Sequence, residues 1–129
     1  MAEFAVVNSK NGVDTLFYEE TDTGVISVII NAPPGIWEVV DLSVVLVADD
    51  FEVDKAPPSA SVVSPGGNPY SFFPMTSVTE LYPNYWTFTY NASAGFIIET
   101  TDTLRIEGED YSTSVGNKVR TYLRARRMR

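Results

Sequence analysis

Short runs of β-branched and aromatic residues fill this chain, and Gly, Pro, Asn or Asp interrupts them about every ten residues. Helical periodicity is hard to find in any window. Valine, isoleucine, threonine and the aromatic residues pack well on a pleated, half-buried surface, so runs of this kind are typical of strands. The pattern predicts about eight strands, at 15–19, 25–30, 36–48, 60–63, 85–90, 96–99, 102–107 and 117–127.

These strands predict an all-β fold, an antiparallel β-sandwich of the jelly-roll kind. The 129 residues suit one domain, spanning 1–129, and a hydrophobic content of 44% is enough for a core. The run 36–48 is apolar on both faces, which indicates a central strand. Simple alternation puts Val40 and Leu42 on one side of it, and Trp37 and Val39 on the other.

The chain has no histidine and no cysteine. Serine and cysteine hydrolases of the triad type therefore lose their usual base, and zinc sites lose their commonest ligands. We accordingly interpret the chain as non-enzymatic, with no catalytic residue, no cofactor and no metal site. Acidic clusters at 49–54 and 107–110 leave open a carboxylate hydrolase or a calcium site, although solvated loop charge explains them better.

The amino-acid sequence also argues against a membrane protein. No run of about 18 apolar residues occurs. The start, Met1-Ala2-Glu3-Phe4, lacks the basic and apolar regions of a signal peptide. We therefore expect a protein made in the cytoplasm, with no membrane partner.

Charge is unevenly distributed along the chain. Residues 1–117 hold all 17 acidic residues and three basic ones, a net −14, whereas residues 118–129 hold six basic residues, a net +6. Basic side chains on many edge strands prevent pairing with other chains, but the basic residues at 124–129 are denser than this role requires. We expect an acidic partner for the basic C-terminal strand or tail, and nucleic acid is disfavoured because the acidic body repels it. The candidate contacts are Arg120, Arg124, Arg126, Arg127 and Arg129.

Eight aromatic residues fall between Tyr70 and Tyr90. Trp86, Phe88 and Tyr90 alternate on one face of a strand, which favours core packing. Four others lie beside prolines and are predicted to be loop residues that contact a partner. These four candidates are Tyr70, Phe72, Phe73 and Tyr82.

Three segments carry a family resemblance. Pro34-Gly35-Ile36-Trp37-Glu38-Val39 leads into a hydrophobic strand, Trp86-Thr87-Phe88-Thr89-Tyr90-Asn91 precedes a small turn, and Thr101-Asp102-Thr103-Leu104-Arg105-Ile106 comes near the end. In this order they resemble small jelly-roll-like virion proteins of tailed bacteriophages, which decorate capsids or form neck and fibre parts. The resemblance covers roughly 24–125. Residues 1–13 are the only ones ahead of the predicted strands, so we expect no long N-terminal arm, and we expect any segment that clamps a neighbouring subunit to be the C-terminal one.

The resemblance implies a structural protein located in the virion, most simply a capsid decoration or cement protein. Its partners would be the major capsid protein or other virion subunits, and it would form a homo-oligomer, with a trimer favoured. Two alternatives remain open. One is a carbohydrate- or receptor-binding module, which requires Tyr70, Tyr82 or Tyr85 to be exposed. The other is the carboxylate hydrolase, which requires two acidic residues facing each other in one cleft.

Overall fold

The structure is a computed structural model that describes residues 2–52, 54–67, 69–92, 95–113 and 116–128. Within these ranges the chain forms eleven strands and no helix. They are β1 (Ala5–Lys10), β2 (Val13–Asp22), β3 (Ser27–Asn31), β4 (Ile36–Val47), β5 (Ser59–Val63), β6 (Pro69–Phe73), β7 (Met75–Tyr82), β8 (Tyr85–Asn91), β9 (Ile97–Glu99), β10 (Thr103–Glu107) and β11 (Asn117–Arg127). All eight predicted strands are present, and β1, β6 and β7 are additional.

The strands form two antiparallel sheets that pack face to face. The large sheet has the order β1-β2-β11-β4-β8-β7, with β9 beside the first part of β4 and β8 beside the rest. The small sheet has the order β3-β10-β5-β6. The core between them takes Val28, Ile30, Val62, Leu104 and Ile106 from the small sheet and Leu16, Leu42, Val44, Phe88 and Leu123 from the large one. The predicted antiparallel β-sandwich is therefore confirmed.

The pairing of the strands is nested. β2 pairs with β11, β3 with β10, β4 with β8 and β9, and β5 with β6. The strands from β2 to β5 alternate between the two sheets, so each connection crosses the sandwich. β1 and β7 lie outside this nested set and form the two edges of the large sheet.

β4 is central in the large sheet, as its two-sided apolar pattern predicts. Its buried side chains are Trp37, Val39, Leu42, Val44 and Leu46. The alternation changes phase because Asp41 and Val39 pair with consecutive residues of β11, which makes Val40 the extra residue of a β-bulge. The predicted orientation of Trp37 and Val39, away from the side of Leu42, is therefore wrong.

β1 and β2 form a hairpin that the strand prediction missed by starting at Thr15. The turn is Asn11-Gly12, and both residues have positive φ, 55° and 77°. Asn-Gly is the preferred pair for this two-residue turn because glycine carries no Cβ and asparagine tolerates the left-handed region. The signal was thus present in the sequence.

β6 and β7 occupy a region that was predicted to be loop. Pro69 begins β6, which is an edge strand of the small sheet, and Pro74 falls between β6 and β7. Proline is tolerated at such positions because no central ladder needs its missing N–H. The loop assignment of Tyr70, Phe72, Phe73 and Tyr82 is therefore wrong, since all four lie in strands.

Candidate interaction surface

The basic C-terminal segment is a central strand of the large sheet. β11 lies between β2 on one side and β4 on the other, and the Met128 amide donates to the carbonyl of Ile36 at 2.8 Å. The predicted strand at 117–127 is therefore confirmed, whereas the explanation of its basic side chains as guards of a sheet edge is wrong. Its predicted alternation is confirmed: Val119, Thr121, Leu123 and Ala125 are buried, while Lys118, Arg120, Tyr122, Arg124 and Arg126 point away from the core.

Three of the candidate arginines form ion pairs across the outer face of the large sheet, the face that points away from the small sheet. Arg120 Nε donates to Glu19 Oε2 at 2.8 Å, and Arg126 Nη1 donates to Glu38 Oε1 at 2.7 Å. Each pair joins neighbouring strands and remains partly exposed. Their charges are therefore largely compensated within the chain, which the amino-acid sequence could not show.

Arg124 is held more firmly than the other two arginines. Its Nε donates to Asp41 Oδ1 at 2.8 Å, and its Nη2 donates to the second oxygen of the same carboxylate. This contact with Asp41 raises the pKa of the Arg124 guanidinium. A two-point contact fixes the plane of the guanidinium and leaves its other N–H groups for a further acceptor.

The remaining basic candidates have other surroundings. The Arg127 guanidinium carbon lies 5.6 Å from the centre of the Trp37 ring, within the range of a cation–π contact. The indole nitrogen of Trp37 donates to the Pro34 carbonyl at 3.1 Å, which fixes the ring. Arg129 lies outside the described residues.

The aromatic candidates separate into exposed and buried residues. Tyr82 is 66% exposed and packs edge-to-face against Tyr85 at 5.6 Å between ring centres. Phe73 is only 5% exposed and contacts Phe96 in the core, so it is not available to a partner. Tyr70 and Phe72 have described backbone in β6, but their side chains lie outside the described part of the structure.

The large sheet extends beyond the small one at both edges. All six residues of β1 are exposed, with Val6 at 58% and Val7 at 56%. At the opposite edge, seven of the eight residues of β7 are exposed, including Met75, Leu81 and Tyr82. Each of these strands pairs with one neighbour only, so its other side presents backbone N–H and C=O groups.

A groove of about 310 Å³ lies on the outer face near the β1–β2 turn, and we call it the polar groove. It is lined by Asn8, Lys10, Asn11, Val13, Thr15 and Arg124. Cross-strand pairing explains this grouping, because Asn8, Thr15 and Arg124 form one row across three strands. Lys10 is not among the predicted site residues, although Asn11-Gly12 signals the hairpin that brings it into the same groove as Arg124.

Both acidic clusters lie at one end of the sandwich, which we call the acidic end. Asp49 accepts hydrogen bonds from the amide and hydroxyl of Thr113, both at 2.8 Å, and these hold the pKa of Asp49 below its usual range. The Asp50 amide donates to the Tyr111 carbonyl at 2.8 Å. The exposed carboxylates there are Asp49, Asp50, Glu52, Asp54, Glu107, Glu109 and Asp110.

Buried aromatic groups hold the acidic end in place. Phe51 is buried and packs against Trp86, Phe88 and Tyr111, with ring centres 4.9 to 5.1 Å apart. Tyr90 donates to the Pro58 carbonyl at 2.5 Å, and burial raises its pKa. The acidic side chains are therefore presented from an anchored loop.

The carboxylates bear on the hydrolase and metal alternatives. A cavity of about 210 Å³ beside Pro33 includes Glu3, one of about 130 Å³ beside Gly24 includes Asp110, and the polar groove includes no carboxylate. None of these three cavities thus has the two facing carboxylates that the hydrolase alternative requires. In the described ranges, no group of three Asp or Glu side chains is close enough to hold a metal ion.

Comparisons with known proteins do not assign this chain to a family. No family model, curated protein or solved structure matches this chain. Among the described residues there is no helix long and apolar enough to cross a membrane.

Proposed function

We propose that this chain is a non-enzymatic structural protein of a virion, a decoration or cement protein of a tailed-phage capsid. The resemblance of its sequence motifs to that class supports the proposal. The nested pairing of β2 to β5 with the later strands also favours a jelly roll, the fold that the resemblance implies.

The observation that carries the proposal is the exposure of the two edge strands of the large sheet, β1 and β7, which we call the overhang. All residues of β1, and all of β7 except Val78, which packs against the core, are exposed, and both strands present one backbone edge and large apolar side chains. Uncovered strands of this kind are a liability for a protein that works alone, and natural proteins usually protect or cover them. A virion subunit packed against β1 or β7 would supply such cover.

Binding energy alone would provide the mechanism. Complete burial of a valine side chain contributes about 1.5 to 3 kcal/mol, and an added strand would also satisfy the free backbone groups of β1. Lys10 and the register shift between Val6 and Asn8 disfavour indiscriminate pairing, which makes the contact selective. On a shell, repeated contacts by an oligomer such as a trimer would multiply these modest energies.

Shell binding tests the proposal. Capsids that lack the chain are incubated with purified wild-type protein or with the Val6→Lys, Leu81→Lys or Val25→Lys variant, and then sedimented. Val25 is the matched control, since it is 65% exposed but precedes β3 and lies on neither overhanging strand. Circular dichroism checks that each variant is folded.

We expect the wild type and Val25→Lys to sediment with the shells, and Val6→Lys or Leu81→Lys to remain in the supernatant. Equal binding by all three variants would reject the overhang as the contact. A wild-type protein that stays in the supernatant at every concentration would reject the virion assignment.

One observation favours the carbohydrate- or receptor-binding alternative, namely the exposure of Tyr82 beside Tyr85. Exposed tyrosines provide the flat surfaces that stack on sugar rings. This function requires Tyr82→Ala to abolish binding to an oligosaccharide array while the oligomeric state is unchanged. A wild-type chain that binds no glycan on the array would exclude it for those sugars.

A further inference from the structure

The polar groove gathers hydrogen-bond donors from three strands. Lys10 contributes an ammonium group, Asn8 and Asn11 contribute amides, and Thr15 contributes a hydroxyl. Arg124 completes the lining, oriented by its two-point contact with Asp41. Converging donors around a concave surface suit an oxyanion.

The charge of the groove favours a carboxylate over a more highly charged anion. Arg124 is balanced by Asp41, and Arg126, which pairs with the groove residue Val13, is balanced by Glu38. Lys10 therefore leaves a net charge near +1. That charge matches a protein carboxylate, which presents a single negative charge, and because each copy carries a net charge of −8, such a local contact is needed to offset the overall repulsion between copies.

The chain itself carries carboxylates in a suitable arrangement. The acidic end has seven exposed carboxylates and Lys55, a net charge of −6. Phe51 and the bonds from Tyr90 and Tyr111 anchor its loops, so little ordering is needed on binding.

The groove and the acidic end of one molecule cannot reach each other. Val13 and Thr15 stand at the start of β2, whereas Asp22 at its end pairs with Asn117, which contacts Asp110. Thr15 and Asp22 are seven positions apart in an extended strand, roughly 23 Å, which is about three Debye lengths at physiological salt. Only a second molecule can therefore bring such carboxylates to the groove.

We propose that the polar groove of one copy binds carboxylates at the acidic end of a second copy. The two surfaces differ, so the contact is heterologous, and repetition closes a ring or extends a row of subunits. The contact specifies how the homo-oligomer of the proposed function would form, and it rests on that proposed function.

Two variants separate the two sides of this contact. Lys10→Glu reverses the charge of the groove, and the triple variant Glu52→Gln/Glu107→Gln/Glu109→Gln neutralises three exposed carboxylates of the acidic end. Lys118→Glu is the control for Lys10→Glu, because it changes the net charge equally, leaves the groove intact and, although it lies at the start of β11 beside the acidic end, removes no carboxylate there. Sedimentation velocity follows association over a range of concentrations at low and at high salt.

We expect wild type and Lys118→Glu to associate at low salt and to dissociate at high salt. Lys10→Glu and the triple variant should each bind themselves about tenfold more weakly. A mixture of the two variants should form a 1:1 dimer and nothing larger. The triple variant supplies the intact groove, Lys10→Glu supplies the intact acidic end, and no second intact pair of surfaces remains. This pairing is specific to a heterologous contact.

Monomeric wild type at low salt, or variants that associate as wild type does, would overturn the inference. A mixture that stays monomeric, while wild type associates, would overturn the pairing of groove with acidic end. Shell binding by the same proteins keeps the two proposals distinguishable. Lost self-association with intact shell binding would reject the inference and leave the proposed function standing.

Discussion

Asn117 joins three segments at the acidic end, so its removal should be among the most damaging polar substitutions in the chain. The side chain is fully buried and accepts from the Tyr111 amide at 2.9 Å. It donates to the Gly24 carbonyl at 2.8 Å and to Asp110 at 3.0 Å. Asn117→Ala would leave the Tyr111 amide buried without this acceptor.

The expected cost follows from these bonds. An orphaned buried donor costs about 1 to 3 kcal/mol, and each other lost hydrogen bond costs about 1 kcal/mol. We therefore expect Asn117→Ala to lower the free energy of unfolding by about 2 to 4 kcal/mol, a large part of the 5 to 15 kcal/mol typical of a domain. With a urea dependence of about 2 kcal/mol per molar, the midpoint would fall by about 1 to 2 M.

Urea unfolding followed by the fluorescence of the two tryptophans, Trp37 and Trp86, measures this change. Asn91→Ala is the matched control, since Asn91 is exposed at the end of β8, and we expect it to stay within about 0.5 kcal/mol of wild type. A value for Asn117→Ala within that same limit would refute the role assigned to the side chain.

Asn117→Asp tests the chemistry of the same position. It retains an acceptor for the Tyr111 amide but places a second carboxylate beside Asp110. Burial and the neighbouring negative charge would raise the pKa of the introduced carboxyl group in the folded state. Its ionisation therefore destabilises the fold in full above that raised pKa, and this destabilisation disappears below the pKa of the same group in the unfolded chain. The difference in stability from wild type should therefore shrink as pH falls from 7 toward 4. A constant difference would contradict this reasoning.

Three further changes test other contacts. Tyr90→Phe removes the donor to the Pro58 carbonyl and should cost about 1 to 2 kcal/mol in urea unfolding, whereas Tyr122→Phe on the outer face should cost little; equal losses would contradict the burial argument. Burial and a hydrogen bond with its acidic neighbour raise the pKa of Glu20, so its deprotonation opposes folding above that pKa. Glu20→Gln should therefore stabilise the protein at pH 7, with the gain shrinking as pH falls toward 4, and equal stability at both pH values would be the opposing result. Phe51→Ala should destabilise the protein and raise hydrogen exchange in the loop after β4; unchanged exchange would show that the ring is not its anchor.

Much of the secondary structure could be predicted from the sequence because the period-2 pattern of a strand is a local property. β8 and β11 show this best, since the predicted inward side chains Phe88, Tyr90 and Leu123 are all buried in the core. β1 was equally accessible through Asn11-Gly12, so missing it was an error of interpretation. β6 and β7 were harder, because edge strands beside prolines carry a weak apolar pattern.

The candidate surface was less accessible to prediction. The outward direction of Arg120, Arg124 and Arg126 follows from alternation, but their carboxylate partners lie between 83 and 101 residues away in the chain. Phe73 illustrates the opposite error, because an aromatic residue next to a proline gives no local sign of whether another sheet covers it. Its burial depends on the position of the strand in the sandwich.

Local patterns in the amino-acid sequence account for the all-β class, most of the strands and the central position of β4, because side-chain alternation and turn residues act over a few positions. Three features become visible only in the tertiary structure: the basic segment is a central strand, Val40 forms a bulge, and Lys10 and Arg124 line the same groove. Each of these depends on which distant strands pair and in what register. That choice reflects the packing of the whole core, and no short stretch of sequence contains it.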